Sequence, residues 1–151
     1  MISKASIAKH PLHPMLIPLP IGLWIFSLVC DILMIATGNV MWSLLALYSM
    51  AGGIIGALLA ALPGFLDLYT MKPSPVKRIG IWHMSINLLI VVIYVADFLW
   101  RRSPAAGIGP FVLSCLAVAL LTVSGWLGGE MVYVHGVAVE PVSGNRNVRN
   151  V

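Results

Sequence analysis

The stretch MWSLLALYSMAGGIIGALLAALPGFL, residues Met41–Leu66, contains no charged side chain. About 20 apolar residues suffice for a helix to cross the hydrocarbon core of a bilayer, because each residue rises about 1.5 Å. Three further runs have the same character. Pro18–Ala36 is broken only by Asp31, Ile79–Trp100 carries His83 and Asp97, and Phe111–Leu127 is uncharged. Residues are 60% hydrophobic and only 9% charged, with a mean hydropathy of +0.97, whereas a soluble domain carries roughly 25% charged residues. The chain is therefore expected to be an all-α integral membrane protein, a four-transmembrane-helix bundle with spans at about 18–37, 41–67, 79–100 and 110–130. These make one membrane domain over residues 1–140, followed by a polar, loose cytoplasmic tail over 141–151.

The first run follows Lys4 and Lys9, as a signal peptide would. It is too long for one, contains Pro18 and Pro20, and lacks a small-residue cleavage site, so it reads as a retained helix. Cys30 and Cys115 fall inside different spans without CxxC spacing. They read as small apolar residues rather than a disulfide or a metal knuckle.

Charge distribution sets the orientation. Lys4, Lys9, Lys72, Lys77, Arg78, Arg146 and Arg149 flank one side of the spans, and Arg101 and Arg102 flank the other. The positive-inside rule places the first side in the cytoplasm, so the chain is expected to be a multi-pass membrane protein with both termini cytoplasmic. Nucleic acid is a poor explanation for the basic balance. The cations lie in short juxtamembrane segments without interleaved aromatics, and membrane lipid headgroups account for them.

The runs also suggest a repeat. The second span ends Pro63-Gly-Phe-Leu-Asp67 and the fourth ends Ser124-Gly-Trp-Leu-Gly128-Gly-Glu130. The first and third spans each begin near a histidine and carry an aspartate late, Asp31 and Asp97. Two helical hairpins in a parallel pseudo-repeat fit this, related by an axis along the membrane normal. Gly52, Gly56, Ala60 and Gly64 recur at steps of four. Such a smooth ridge admits a close helix neighbour, within the bundle or in a homo-oligomer. The segment HPLHP (His10–Pro14) reads as a proline-stiffened, non-helical lead-in.

With four antiparallel spans, one edge of the bundle collects His10, His13, His83 and His135, together with Asp67, Glu130, Tyr69 and Tyr133. Polar and ionisable groups near hydrocarbon pair, bind something or face a cavity, and histidine is the commonest metal ligand and the side chain readiest to move a proton. Two chemistries fit. Two histidines from facing segments can take the axial positions of a b-type haem, with His83 the first candidate and His13 or His135 opposite. Asn87, one turn further along, shares the face of His83. Alternatively, imidazoles and the carboxylates Asp67 and Glu130 ligate a transition metal ion. The chain lacks the Glu-x-x-His pairs of di-iron bundles. Taken singly, each histidine reads more simply as satisfying a carbonyl at a helix end. The convergence of all four is what argues for a bound group. Asp31 and Asp97 form a second layer near Arg101 and Arg102, read as an ion pair between the first and third spans rather than a proton path. No nucleotide loop, nucleophile elbow or HExxH pattern is present, so a stand-alone enzyme is not indicated.

At HPLHPMLIPLPIGLW (His10–Trp24), WHMSINLL (Trp82–Leu89) and GWLGGEMVYVHGVAV (Gly125–Val139), the chain resembles a family of bacterial four-helix membrane proteins known as a domain of unknown function. The resemblance covers nearly everything but the polar tail. Members are sometimes fused to Rieske-type iron–sulfur domains, which implies an electron-transfer setting, and the family's motif histidines fall on His10, His13, His83 and His135. No Rieske segment is attached here, so the redox partner implied is a separate protein. The expected function is a small redox subunit holding haem b or a transition metal at this histidine edge. The alternatives are an oligomeric proton- or metal-ion transporter and a structural subunit of a larger membrane complex.

Overall fold

A computed structural model of the chain describes residues 3–103 and 107–139. The expected tail over 141–151 lies outside the described residues. The chain opens with a small antiparallel hairpin, β1 (Ser6–Ile7) against β2 (His10–Pro11), with Ser6 opposite Pro11 and Ile7 opposite His10. Ala8 (φ 48°) and Lys9 (φ 68°) make its turn in the left-handed region, the conformation that matches the twist of a two-residue hairpin loop. HPLHP departs from the expected lead-in at its second half, since Leu12–Leu16 form a short helix, α1. Pro14 falls in the first turn of α1, where its missing N–H costs nothing, so His13 is held on a helix.

The long helices α2 (Pro18–Thr37), α3 (Val40–Thr70), α4 (Pro75–Trp100) and α5 (Gly109–Gly129) follow. With α1 continuous with α2, and a π-helical turn (Glu130–Val134) extending α5, the described residues contain four helical segments long and apolar enough to span a membrane. Their boundaries follow local rules. Proline occupies the first turn of α2, α4 and α5, where its fixed φ suits the helix start. Gly38 closes α2 in the left-handed conformation (φ 68°), with its N–H donating to the Met34 carbonyl at 2.8 Å. Asn39 Oδ1 then accepts from Met41 N at 3.0 Å to start α3, and Ser74 Oγ accepts from Lys77 N at 3.1 Å to start α4.

The distribution of side chains is inverted relative to a soluble bundle. Ser27, Asp31, Ser49, Asp97, Ser114 and Ser124 are buried, while Ile25, Ile32, Leu58, Leu62, Val92 and Leu99 are exposed on the outside. Lipid favours that arrangement, since apolar side chains face hydrocarbon and polar ones satisfy each other inside. The glycine ridge of α3 packs α2 against α3 within the chain. Gly52 lies under Leu23, Gly53 under the Trp24 indole, Gly56 under Leu19 and Pro20, and Gly64 under His13.

The two hairpins, α2–α3 and α4–α5, form the parallel pseudo-repeat, and inter-helix contacts set its register. His13 meets His83, Trp24 stacks on Tyr94 with centroids 4.4 Å apart, and Asp31 pairs with Arg101. Each pair has the same separation, 70 residues for Asp31 and Arg101, so the partners occupy equivalent positions facing each other across the pseudo-axis. Two details of the expected repeat are thereby corrected. Asp31 is equivalent to Arg101 rather than to Asp97, and Ala60, not Pro63, is equivalent to Ser124, because these are the carbonyls that receive His13 and His83.

Candidate functional site

The inward seam of α4 explains what the axis contains. His83, Asn87, Ile90, Tyr94, Asp97 and Arg101 recur at alternating steps of four and three residues, a spacing that keeps side chains on one face of a helix. All but Ile90 are polar or amphipathic. On α1 and α2 the same steps give His13, Ile17, Pro20, Trp24, Ser27 and Asp31. The bundle thus has a histidine edge, an aromatic centre and an aspartate edge.

At the histidine edge, His13 and His83 approach edge-to-face, with centroids 6.2 Å apart and ring planes at 90°. His13 Nδ1 donates to the Ala60 carbonyl at 2.8 Å, and His83 Nδ1 donates to the Ser124 carbonyl at 2.9 Å with Ser124 Oγ a second partner at 3.0 Å. A carbonyl can only accept, so in the neutral rings the proton sits on Nδ1 and the lone pair on Nε2. Asn87 Nδ2 donates to the His83 carbonyl at 2.8 Å and to Ser124 Oγ at 2.6 Å, and lies 3.2 Å from His83 Nε2. These bonds orient the His83 ring. Glycine makes room for both imidazoles. A Cβ on Gly64 would stand 2.7 Å from His13 Nδ1, and one on Gly128 would stand 3.1 Å from His83 Cε1.

The remaining members of the expected layer share its depth but face elsewhere. His10 is exposed, with Nδ1 donating to the Ala8 carbonyl at 2.8 Å. His135 lies at the surface, its Nε2 3.9 Å from Glu130 Oε1. Asp67 is occupied as an anchor for the N-terminal segment, accepting from Ser3 Oγ (2.7 Å), Lys4 N (2.7 Å) and Ala5 N (3.0 Å). Tyr69 and Tyr133 point outward. Among the described residues, no three His, Cys, Asp or Glu side chains converge where one ion could be held. The expected layer resolves into a pair, His13 and His83, with Asn87 and Ser124 behind it.

At the aspartate edge the expected ion pair is present and larger than expected. Arg101 Nη1 and Nη2 both donate to Asp31, and Arg101 Nε donates to Asp97 Oδ1 at 2.9 Å. Ser114 Oγ accepts from Arg101 Nη2 and donates to Asp97 Oδ2, each at 2.9 Å. Burial disfavours the Arg101 charge, but its hydrogen bonds to Asp31 and Asp97 and their negative charges outweigh it and hold its pKa above the ordinary value. Arg102 instead turns over the Phe98 ring, 5.8 Å from its centroid. Ser114, Ser124 and the Trp24–Tyr94 stack were not expected from sequence, although the four-three spacing of the α4 seam was available as a signal.

A family model described as predicted membrane protein (DUF2231) matches residues 9–141, and the chain belongs to that family. No curated protein and no solved structure matches the chain.

Proposed function

We propose that this chain, as a member of a family defined by membrane location alone, is a small redox subunit of a bacterial inner membrane, in which His13 and His83 hold a haem b iron or a single transition metal ion. One observation carries the reading: two adjacent imidazoles on the pseudo-axis, each with Nδ1 tied to a backbone carbonyl and a lone pair left on Nε2. Metal-ligating histidines characteristically donate their second ring nitrogen to a carbonyl or carboxylate, which sets the tautomer and the ring orientation.

The bound group would supply one-electron chemistry. The chain's own residues orient the two imidazoles through the Ala60 and Ser124 carbonyls and Asn87, and Gly64 and Gly128 let the rings pack against the helix backbones. Asn87 is fixed by its bonds to the His83 carbonyl and Ser124 Oγ. Asp67 and Glu130, read from sequence as ligands, serve in this proposal as an N-terminal anchor and a surface charge. The histidine edge faces the cytoplasm in this reading, since Lys4, Lys9, Lys72, Lys77 and Arg78 surround it while Arg101 on the other edge is committed to carboxylates. A visible spectrum of the detergent-purified protein, oxidised and then dithionite-reduced, tests the proposal together with elemental analysis. A Soret band that shifts on reduction, or stoichiometric metal without one, is the expected result. Colourless, metal-free protein overturns it.

A further inference from the structure

The aspartate edge carries an uncompensated charge. Asp97 is fully buried, Asp31 is 6% exposed, and among the described residues Arg101 is the cation that reaches them. With both carboxylates ionised the cluster holds one negative charge more than positive. A buried group in that position lowers its cost by taking up a proton.

A neighbouring hydroxyl, that of Ser114, bears on where that proton sits. Tyr94 lies one turn before Asp97 on the same seam and is completely buried, but its hydroxyl has no hydrogen-bond partner among the described residues. Ser114 Oγ stands 2.9 Å from Asp97 Oδ2 and takes an N–H from Arg101 Nη2. By turning only its own hydrogen it can donate to a carboxylate at Asp97 or accept from a carboxylic acid there. Cys30 is buried next to Asp31 on α2 and Tyr94 is buried on the α4 seam, while Cys115 on α5 is exposed and α3 presents Ala46, Ser49 and Met50. Ile90 and Leu121 fill the layer toward the histidines, which separates the two polar ends.

We propose that the Asp97 carboxyl is a binding site for a single exchangeable proton, with Ser114 as its hydrogen-bonding partner. Uptake forms an O–H bond at Asp97 Oδ2 as one breaks in a hydronium ion at the aspartate edge. No electron moves, and Asp31 keeps its contacts to the two Nη groups of Arg101. The cluster thereby alternates between one net negative charge and none. The site does not depend on a group bound between the histidines.

Infrared difference spectroscopy of the full chain in lipid nanodiscs, stepped in pH, tests this directly. The expected result is a protonated-carboxyl C=O band that grows in as pH falls in one titration and shifts in D2O. It disappears in Asp97→Asn and moves to higher frequency in Ser114→Ala, where the acid loses its hydrogen-bonding partner. Absence of such a band in the wild type, or its survival in Asp97→Asn, overturns the proposal. If Asp97→Asn fails to fold, the Ser114→Ala spectrum decides, and a band unmoved there overturns it equally.

Discussion

Placing a methyl group under each histidine separates the two halves of the pseudo-repeat by energy. In Gly64→Ala the new Cβ would stand 2.7 Å from His13 Nδ1, 3.0 Å from Cε1 and 3.2 Å from Cγ. The ring cannot rotate away without giving up its 2.8 Å bond to the Ala60 carbonyl. Overpacking of this kind costs about 1–3 kcal/mol, and a weakened hydrogen bond adds about 0.5–1.5 kcal/mol. Replacing a mid-helix glycine by alanine returns about 0.5–1 kcal/mol. The net expectation is a destabilisation of about 1–3 kcal/mol. In Gly128→Ala the nearest atom is His83 Cε1 at 3.1 Å, with Nδ1 at 3.5 Å, so a small tilt of the ring suffices. The helix gain then leaves that variant within about 0.5 kcal/mol of wild type. Equilibrium unfolding in mixed micelles gives the two stabilities, and nitrogen-15 spectra of the imidazoles report whether His13 loses its Nδ1 bond while His83 keeps its own. Equal stabilities, or a Gly128→Ala variant weaker than Gly64→Ala, would refute the packing argument.

Other expectations concern the groups around the axis. Arg101→Met strands two buried carboxylates and should cost about 3–5 kcal/mol; Arg101→Lys should not restore this, because one ammonium cannot reproduce the forked contacts to Asp31 and Asp97. Thermal melts of both variants in detergent provide the check. Ser124→Ala leaves the carbonyl that holds His83 but removes the hydroxyl partner of Nδ1 and Asn87, and should cost about 0.5–1.5 kcal/mol by the same unfolding assay. Asp67→Ala releases Ser3, Lys4 and Ala5. Limited proteolysis should then cut the N-terminal segment faster, while the imidazole signals of His13 and His83 stay unchanged. A change in those signals would mean that Asp67 belongs to the histidine site after all.

Much of this architecture was legible in the chain because a bilayer reduces the problem to length and charge. Met41–Leu66 and its three counterparts locate the spans, and Asn39, Ser74 and the first-turn prolines mark the helix starts. Depth followed as well, since a residue near a span's end must lie near that edge. Angle did not follow. His10, His13, His83 and His135 share a depth, but only His13 and His83 face the axis, and Asp67 was already engaged by backbone N–H groups that composition does not advertise. The repeat was visible but read in the wrong register. Matching Gly-Phe-Leu with Gly-Trp-Leu followed residue likeness, whereas the fold aligns the carbonyls of Ala60 and Ser124. The polar seam of α4 was present in the spacing of His83, Asn87, Tyr94, Asp97 and Arg101. Likeness of residue type hides it, because it sorts the histidines and the aspartates into separate layers at the two edges.

The pairing of His13 with His83 as ligands is tested most directly by metal and haem content in four single variants, each purified alongside the wild type. Stoichiometric content is expected in the wild type, with loss in His13→Ala and His83→Ala and retention in His10→Ala and His135→Ala. Content that persists without His13 and His83, or wild-type protein that holds neither metal nor haem, would contradict it.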